Sequence, residues 1–314
     1  MSLFTRLSSS YFFYFAILGL ISPYLSVFLD SKGFTSLELG EIFAILTGTK
    51  IIAPSLWAIF ADKTGQQLFI IRLGVILALL SFSMLFWLDN YWAICICLAS
   101  FSLFWTAILP QLEVLTLNSV RRSNKIYARV RLWGSLGFIV LAIVAGQVMA
   151  LYQEEGLLNQ SISSFSSAFV LMGCIVLFLL LLSTLSFKPR SVIHKAKVKA
   201  LSIKSKLIEV RFIIFFIAGV LLQISFGPYY GFFALFLRDL DYPGFAVGLF
   251  VSIGVLAEII VFIFVSRFFK RYSLKVILIF SLAVTALRWL LMALYADFAW
   301  LLAFTQLIHA ASFA

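Results

Sequence analysis

The sequence predicts an all-α membrane protein built from two pseudo-symmetric helix bundles, and three observations carry that prediction. The 314 residues are 63% hydrophobic and 12% charged, whereas a soluble domain is roughly 45–50% apolar and about 25% charged. Apolar runs long enough to cross a bilayer recur along the chain, the mark of membrane-spanning helices. The earlier and later parts of the chain also resemble each other, as in membrane proteins built from repeats.

Ten runs are expected to span: 9–29, 37–60, 67–88, 91–118, 130–151, 165–187, 211–236, 244–266, 274–296 and 299–314. The first is not a signal peptide, because it is too long, lacks a small-x-small cleavage site and is followed by further spans. Counted from an inside amino terminus, 20 of the 24 Lys and Arg residues fall on the inner side. Lys32 and Arg238 fall outside, and Lys50 and Arg288 fall within spans. That bias places the amino terminus in the cytoplasm and sets basic residues against anionic headgroups. The net charge of +11 therefore does not indicate nucleic acid, since no basic stripe sits on a soluble domain. Cys95, Cys97 and Cys174 all lie inside spans and are expected to pack, with no disulfide and no metal site.

The segment 188–210, "KPRSVIHKAKVKALSIKSKLIEV", is basic and interrupts the apolar pattern. It is expected to be a cytoplasmic linker between a six-helix bundle, 1–187, and a second bundle of about four helices, 211–314. Across that linker, "FLDSKGFTSLELGEIFAILTGTK" (28–50) aligns without gaps with "FLRDLDYPGFAVGLFVSIGVLAE" (236–258). Phe28, Leu29 and Gly40 match Phe236, Leu237 and Gly248, and Pro23-Tyr24 echoes Pro228-Tyr229. The alignment ends with Lys50 opposite Glu258.

Glu258 stands in the apolar run "GVLAEIIVFIFVS", where an unpartnered carboxylate costs several kcal/mol or takes up a proton. Lys50 and Glu258 each lie about 14 residues into their spans, or about 21 Å from the outer end. The repeat suggests that they face each other across a central cavity, either paired for packing or bridged by substrate; intramembrane charges mark functional sites by default. Arg288 and His309 also lie near midplane depth. Arg288 cannot shed its charge and needs an anion, whereas His309 can carry a proton near neutral pH or simply pack. Tyr24 and Tyr229, with Trp57, Trp105, Trp133 and Tyr230, are candidates to stack on an aromatic substrate, against the simpler reading that they pack against helices or lipid.

Enzymatic chemistry is not expected. Neither HExxH nor GxSxG is present, the two histidines form no cluster, and there is no ATP-binding loop. No cofactor is implied. A scaffold would not need several midplane charges, so transport is the expected function. Of the embedded charges, Lys50, Arg131 and Arg288 outnumber Glu113 and Glu258 by one, which favours an anionic substrate over a neutral sugar.

The loop "AIFADKTGQQ" resembles the major facilitator superfamily signature G-x-x-x-D-[RK]-x-G-[RK]-[RK] at Asp62, Lys63 and Gly65, with Ala58, Gln66 and Gln67 as departures. The stretches "YARVRLWGSLGF", "YYGFFALFL", "VGLFVSIGVLAEIIVF", "TALRWLLMA" and "TQLIHAASF" resemble the bacterial 3-phenylpropionate permease family and, more distantly, the lactose permease group of proton symporters. The resemblance covers nearly the whole chain. It implies a major facilitator fold and a cytoplasmic gate at Asp62, Lys63 and Gly65. It further implies a substrate site with Glu113 and Arg131, and a coupling set of Glu258, Arg288 and His309. Ser312 stands where the lactose permease group has an acidic residue. Only about 10 of 12 helices are expected, with the second bundle truncated, so the 314-residue chain is expected to be inactive or unstable alone. The expected function is proton-coupled symport of a small aromatic monocarboxylate by a monomer in a bacterial inner membrane. An oligosaccharide or nucleoside symporter, and less favourably a drug antiporter, remain as alternatives.

Overall fold

The computed structural model describes residues 2–120, 123–154, 158–187 and 208–313. Most of the basic linker, including His194, lies outside the described residues, as do Arg121, Arg122 and the side chain of Ser312. Among the described residues all regular structure is helical. The helices are α1 (Leu3–Ser31), α2 (Ser36–Thr64), α3 (Gln67–Ser83, continued by one 3₁₀ turn), α4 (Tyr91–Trp105), α5 (Ile108–Ser119), α6 (Asn124–Glu154), α7 (Leu158–Leu185), α8 (Val210–Asp239), α9 (Gly244–Arg271), α10 (Leu274–Tyr295) and α11 (Ala299–Phe313). Among the described residues nine segments are long and apolar enough to cross a membrane, α4 and α5 counting as one, and Ala299–Ala311 is a shorter apolar helix.

Local chemistry sets the helix ends. Thr35 and Glu38 close a reciprocal capping box at the start of α2, while Ser2, Asn90 and Ser273 cap α1, α4 and α10. Each such cap satisfies an orphan N–H and is worth about 1 kcal/mol. Gly65 ends α2 with φ 65°, a left-handed conformation that glycine adopts without strain; this accounts for the glycine of the loop signature. The continuous span expected over 91–118 is broken at Thr106 and Ala107. Pro110 is the cause, since it has no N–H to offer the Thr106 carbonyl and its ring crowds that group.

α1 is the central helix, packed on α6, α7 and α8. Its approach to α6 is reciprocal. A Cβ on Gly19 would sit 2.3 Å from the Phe138 carbonyl oxygen, and one on Gly137 would sit 2.1 Å from that of Phe12. Only residues without side chains permit backbones this close. A second close approach joins α6 to α9. A Cβ on Gly248 would sit 2.3 Å from the Ala142 oxygen, and one on Gly146 would sit 3.0 Å from the Gly244 oxygen. Near the same end of the helices, Arg238 of α8 pairs with Asp30 of α1.

At the opposite end the helices are laced by arginines. Arg72 of α3 donates to the carbonyls of Thr184 and Phe187, at 3.1 and 3.0 Å, and Arg6 of α1 donates to that of Ser186 at 2.9 Å. These carbonyls close α7, where a cation complements both the unsatisfied oxygens and the helix dipole. Two of the basic residues expected at lipid headgroups are thus helix caps.

Candidate functional site

Four helices bring polar groups into the apolar interior: α8 with Phe226 and Tyr229, α9 with Glu258, α10 with Arg288 and Trp289, and α11 with Thr305, Gln306 and His309. On α10 the residues buried most deeply are Thr285 and Arg288, three apart on one helix face. Thr305, Gln306 and His309 are likewise buried on α11.

Arg288 is 0% exposed. Its Nε donates to the Thr305 carbonyl at 3.0 Å, and one Nη donates to Gln306 Oε1 at 3.3 Å. The same Oε1 accepts the Tyr229 hydroxyl at 2.7 Å. The guanidinium lies 4.3 Å from the ring of Tyr229, 4.4 Å from that of Trp289 and 5.8 Å from that of Phe226. Desolvated cation–π contacts are worth about 2 kcal/mol each, and hydrogen bonds involving a charge about 1.5–3 kcal/mol. Together they offset a burial cost of several kcal/mol. All of these partners are neutral. No ion pair within 4.0 Å is made by Arg288 among the described residues, and its Nη1 makes no hydrogen bond.

Glu258, the nearest acid in depth, is engaged elsewhere. Its Oε1 lies 3.3 Å from Nε2 of His309, with side-chain exposures of 18% and 6%. The His309 ring also packs edge-on to Phe226 with centroids 5.5 Å apart. The structure therefore brings together Glu258, His309, Arg288 and Tyr229, all of which the sequence singles out. It adds Gln306 and Trp289, which sequence reasoning missed. The available signal was spacing, since Gln306 precedes His309 by three residues and shares its face.

Of the two arrangements expected for Lys50 and Glu258, the direct pair is absent among the described residues: Glu258 contacts His309, and Lys50 is an exposed residue of α2. The repeat fixes how deep a residue lies but not which way it points around the helix. Tyr24 is also elsewhere. It is fully buried at the crossing of α1, α6 and α9, and its hydroxyl donates to the Ala142 carbonyl at 2.8 Å. Trp57 donates to the Leu103 carbonyl, Trp105 stacks on Tyr14, and Trp133 is exposed.

Glu113 and Arg131 form a separate, looser pair. Oε1 of Glu113 lies 3.8 Å from Nη1 of Arg131, and the side chains are 36% and 42% exposed. Tyr127 reaches the same carboxylate at 3.5 Å, and the Arg131 guanidinium covers the Phe15 ring at 4.4 Å. Glu113 lies on α5 and Arg131 on α6, which begins at Asn124 and so places Arg131 two turns into the helix instead of at its start. Asp62 and Lys63 are exposed at the end of α2, beside Gly65. Among the described residues no group of His, Cys, Asp and Glu has metal-binding geometry, and the three cysteines are free.

The sequence profile of the MFS_1 like family matches residues 4–314. The chain is 27% identical over 312 residues to the "Probable 3-phenylpropionic acid transporter" of Escherichia coli (strain K12), covering 98% of this chain and 78% of that protein. Among solved structures it is similar to the nucleoside transporter NupG, with TM-score 0.84 and 19% identity over 100% of this chain and 80% of the other. It is also similar to a D-xylose-proton symporter, with TM-score 0.66 and 14% identity over 99% and 79%. These two likenesses concern the fold.

Proposed function

The chain belongs to the MFS_1 like family of multi-pass membrane transporters, and we propose that it is a proton-coupled symporter of a small aromatic monocarboxylate. One observation carries the reading: the half-buried Glu258 and the buried His309, 3.3 Å apart, stand beside the buried Arg288, since both Arg288 and His309 pack against Phe226 and Tyr229. With one proton shared between them, Glu258 and His309 sum to zero, and Arg288 is left as net positive charge in a desolvated site. Without that proton they sum to minus one and balance Arg288. Proton binding thus creates the demand for an anion, and by linkage the anion strengthens proton binding to the same degree. A carboxylate and a proton then cross together with no net charge.

The aromatic faces around Arg288 supply the apolar part of such a site. The likeness to the Escherichia coli protein, which bears a phenylpropionic acid name, supports the same substrate class. A neutral sugar would leave Arg288 without a counter-charge. In this reading the protein is a monomer in a bacterial inner membrane, and the charge bias of the loops supports a cytoplasmic amino terminus. In that orientation the glycine crossing of α6 and α9 lies toward the outside. The six-helix unit 1–187, the linker 188–210 and the second unit 211–314 are then the two moving bodies and their tether. Asp62, Lys63 and Gly65 form the cytoplasmic gate loop, and Glu113, Arg131 and Lys50 line the path on the first body.

The test is uptake of 3-phenylpropionate into proteoliposomes with and without an imposed pH gradient. Accumulation that follows the gradient supports the reading, and uptake indifferent to it sinks the symport mechanism. Glu258→Gln fixes the pair in its proton-loaded charge state. The variant is expected to bind and exchange the acid with no dependence on pH, and to lose gradient-driven accumulation.

A further inference from the structure

We infer that Gln306 sets the charge selectivity of the site by leaving the Nη1 edge of Arg288 open for the substrate's own carboxylate; the inference rests on reading the substrate as an organic anion. Three observations lead there. Arg288 is completely buried yet makes no ion pair within 4.0 Å among the described residues. Its Nη1, also buried, makes no hydrogen bond, although a guanidinium presents its donors in a planar fork suited to a carboxylate. The side chain best placed to neutralise it is an amide. Gln306 Oε1 already takes one Nη of Arg288 at 3.3 Å and the Tyr229 hydroxyl at 2.7 Å, so it holds the guanidinium in place without cancelling its charge.

The surroundings fit that role. Tyr229 and Trp289 cover the guanidinium at 4.3 and 4.4 Å, so an anion approaches along the plane, at the edge. A glutamate at 306 would place a permanent carboxylate on Arg288, at the same length and on the same helix face. The amide is therefore what distinguishes an anion-binding arginine from a structural ion pair.

The experiment is to measure affinity of the purified protein for 3-phenylpropionate and for its neutral analogue 3-phenylpropanamide, in the wild type, Gln306→Glu and Gln306→Met, with thermal melting as a check on folding. The wild type is expected to prefer the acid by about tenfold or more, the difference a charge-assisted contact makes. Gln306→Glu is expected to melt at or above the wild-type temperature and to lose that preference, with affinity for the amide little changed. Gln306→Met, which keeps the site cationic, is expected to retain the preference even with weaker binding of both ligands. A folded Gln306→Glu that still prefers the acid as the wild type does would overturn the inference. If its proton-driven uptake is also normal, the proposed function stands without it. A wild type that prefers the acid no more than the amide would show that the open edge of Arg288 serves another group and overturn it as well. A wild type that neither binds nor transports any carboxylate would overturn both.

Discussion

The two ionic clusters differ in how they handle their charge. Glu113 and Arg131 are self-neutral, 3.8 Å apart and more than a third exposed, so solvent screens them and their attraction is weak. His309 and Arg288 are buried and Glu258 is half-buried, and the carboxylate sits 3.3 Å from the titratable ring while the permanent cation makes only neutral contacts. The first cluster can lose a member and be re-solvated. The second is largely shielded, with Arg288 fully buried, and in the proposed mechanism its charge is completed by a proton and an anion from outside. The composition of the two groups is similar, and burial decides which of them has to act.

Three variants sharpen or break this contrast. The largest effect is expected from Arg288→Lys. The ammonium keeps the charge but loses the planar stack on Tyr229 and Trp289 and the fork toward Gln306, so uptake is expected to fall by about a hundredfold or more, since disrupting a buried charged group costs about 3–5 kcal/mol. Near-normal initial rates for this variant would refute the role given to the guanidinium edge. A smaller effect is expected from Glu113→Gln with Arg131→Gln. Exposed ion pairs are worth about 0–1 kcal/mol, so the double variant should melt within a few degrees of the wild type and keep proton-driven accumulation, with any loss confined to substrate affinity. Loss of accumulation in this double variant would move coupling to the first cluster. The smallest effect is expected from Lys50→Gln. Lys50 makes no ion pair among the described residues, so its effect on binding should add to that of Glu258→Gln within about 0.3–0.5 kcal/mol. Clear non-additivity in a double-mutant cycle would show that substrate bridges the two.

Much of the fold was legible because bilayer crossing leaves a strong hydropathy pattern. Hydropathy records what touches lipid, however, and a helix continues until its end groups are capped. The run 130–151 therefore understated α6, which begins at Asn124. The break between α4 and α5 was not read from Pro110, because the consequence of a proline inside an apolar run depends on the carbonyl it crowds, here that of Thr106. In the site, Glu258, Arg288 and His309 stood out because a charge in an apolar run is conspicuous. Gln306 did not, since an uncharged amide acquires meaning only from the arginine beside it, eighteen residues away in the chain. Tyr24 stood out for its place after a proline, yet its hydroxyl serves the Ala142 carbonyl. Sequence patterns report depth and residue chemistry well, and azimuth poorly.

The crossing of α6 and α9 resembles a plain bearing in a machine. At Gly146, Gly244 and Gly248 main chain meets main chain beside the side chains of Tyr24 and Met149, with an added Cβ at Gly248 coming within 2.3 Å of the Ala142 oxygen. A joint faced with long side chains must re-sort rotamers whenever it opens or shuts, and each ordered chain carries an entropic cost. Glycine surfaces have no rotamers to re-sort. Such faces can meet and part without reshaping, so in the proposed cycle the free energy of proton and substrate binding would decide the direction of travel.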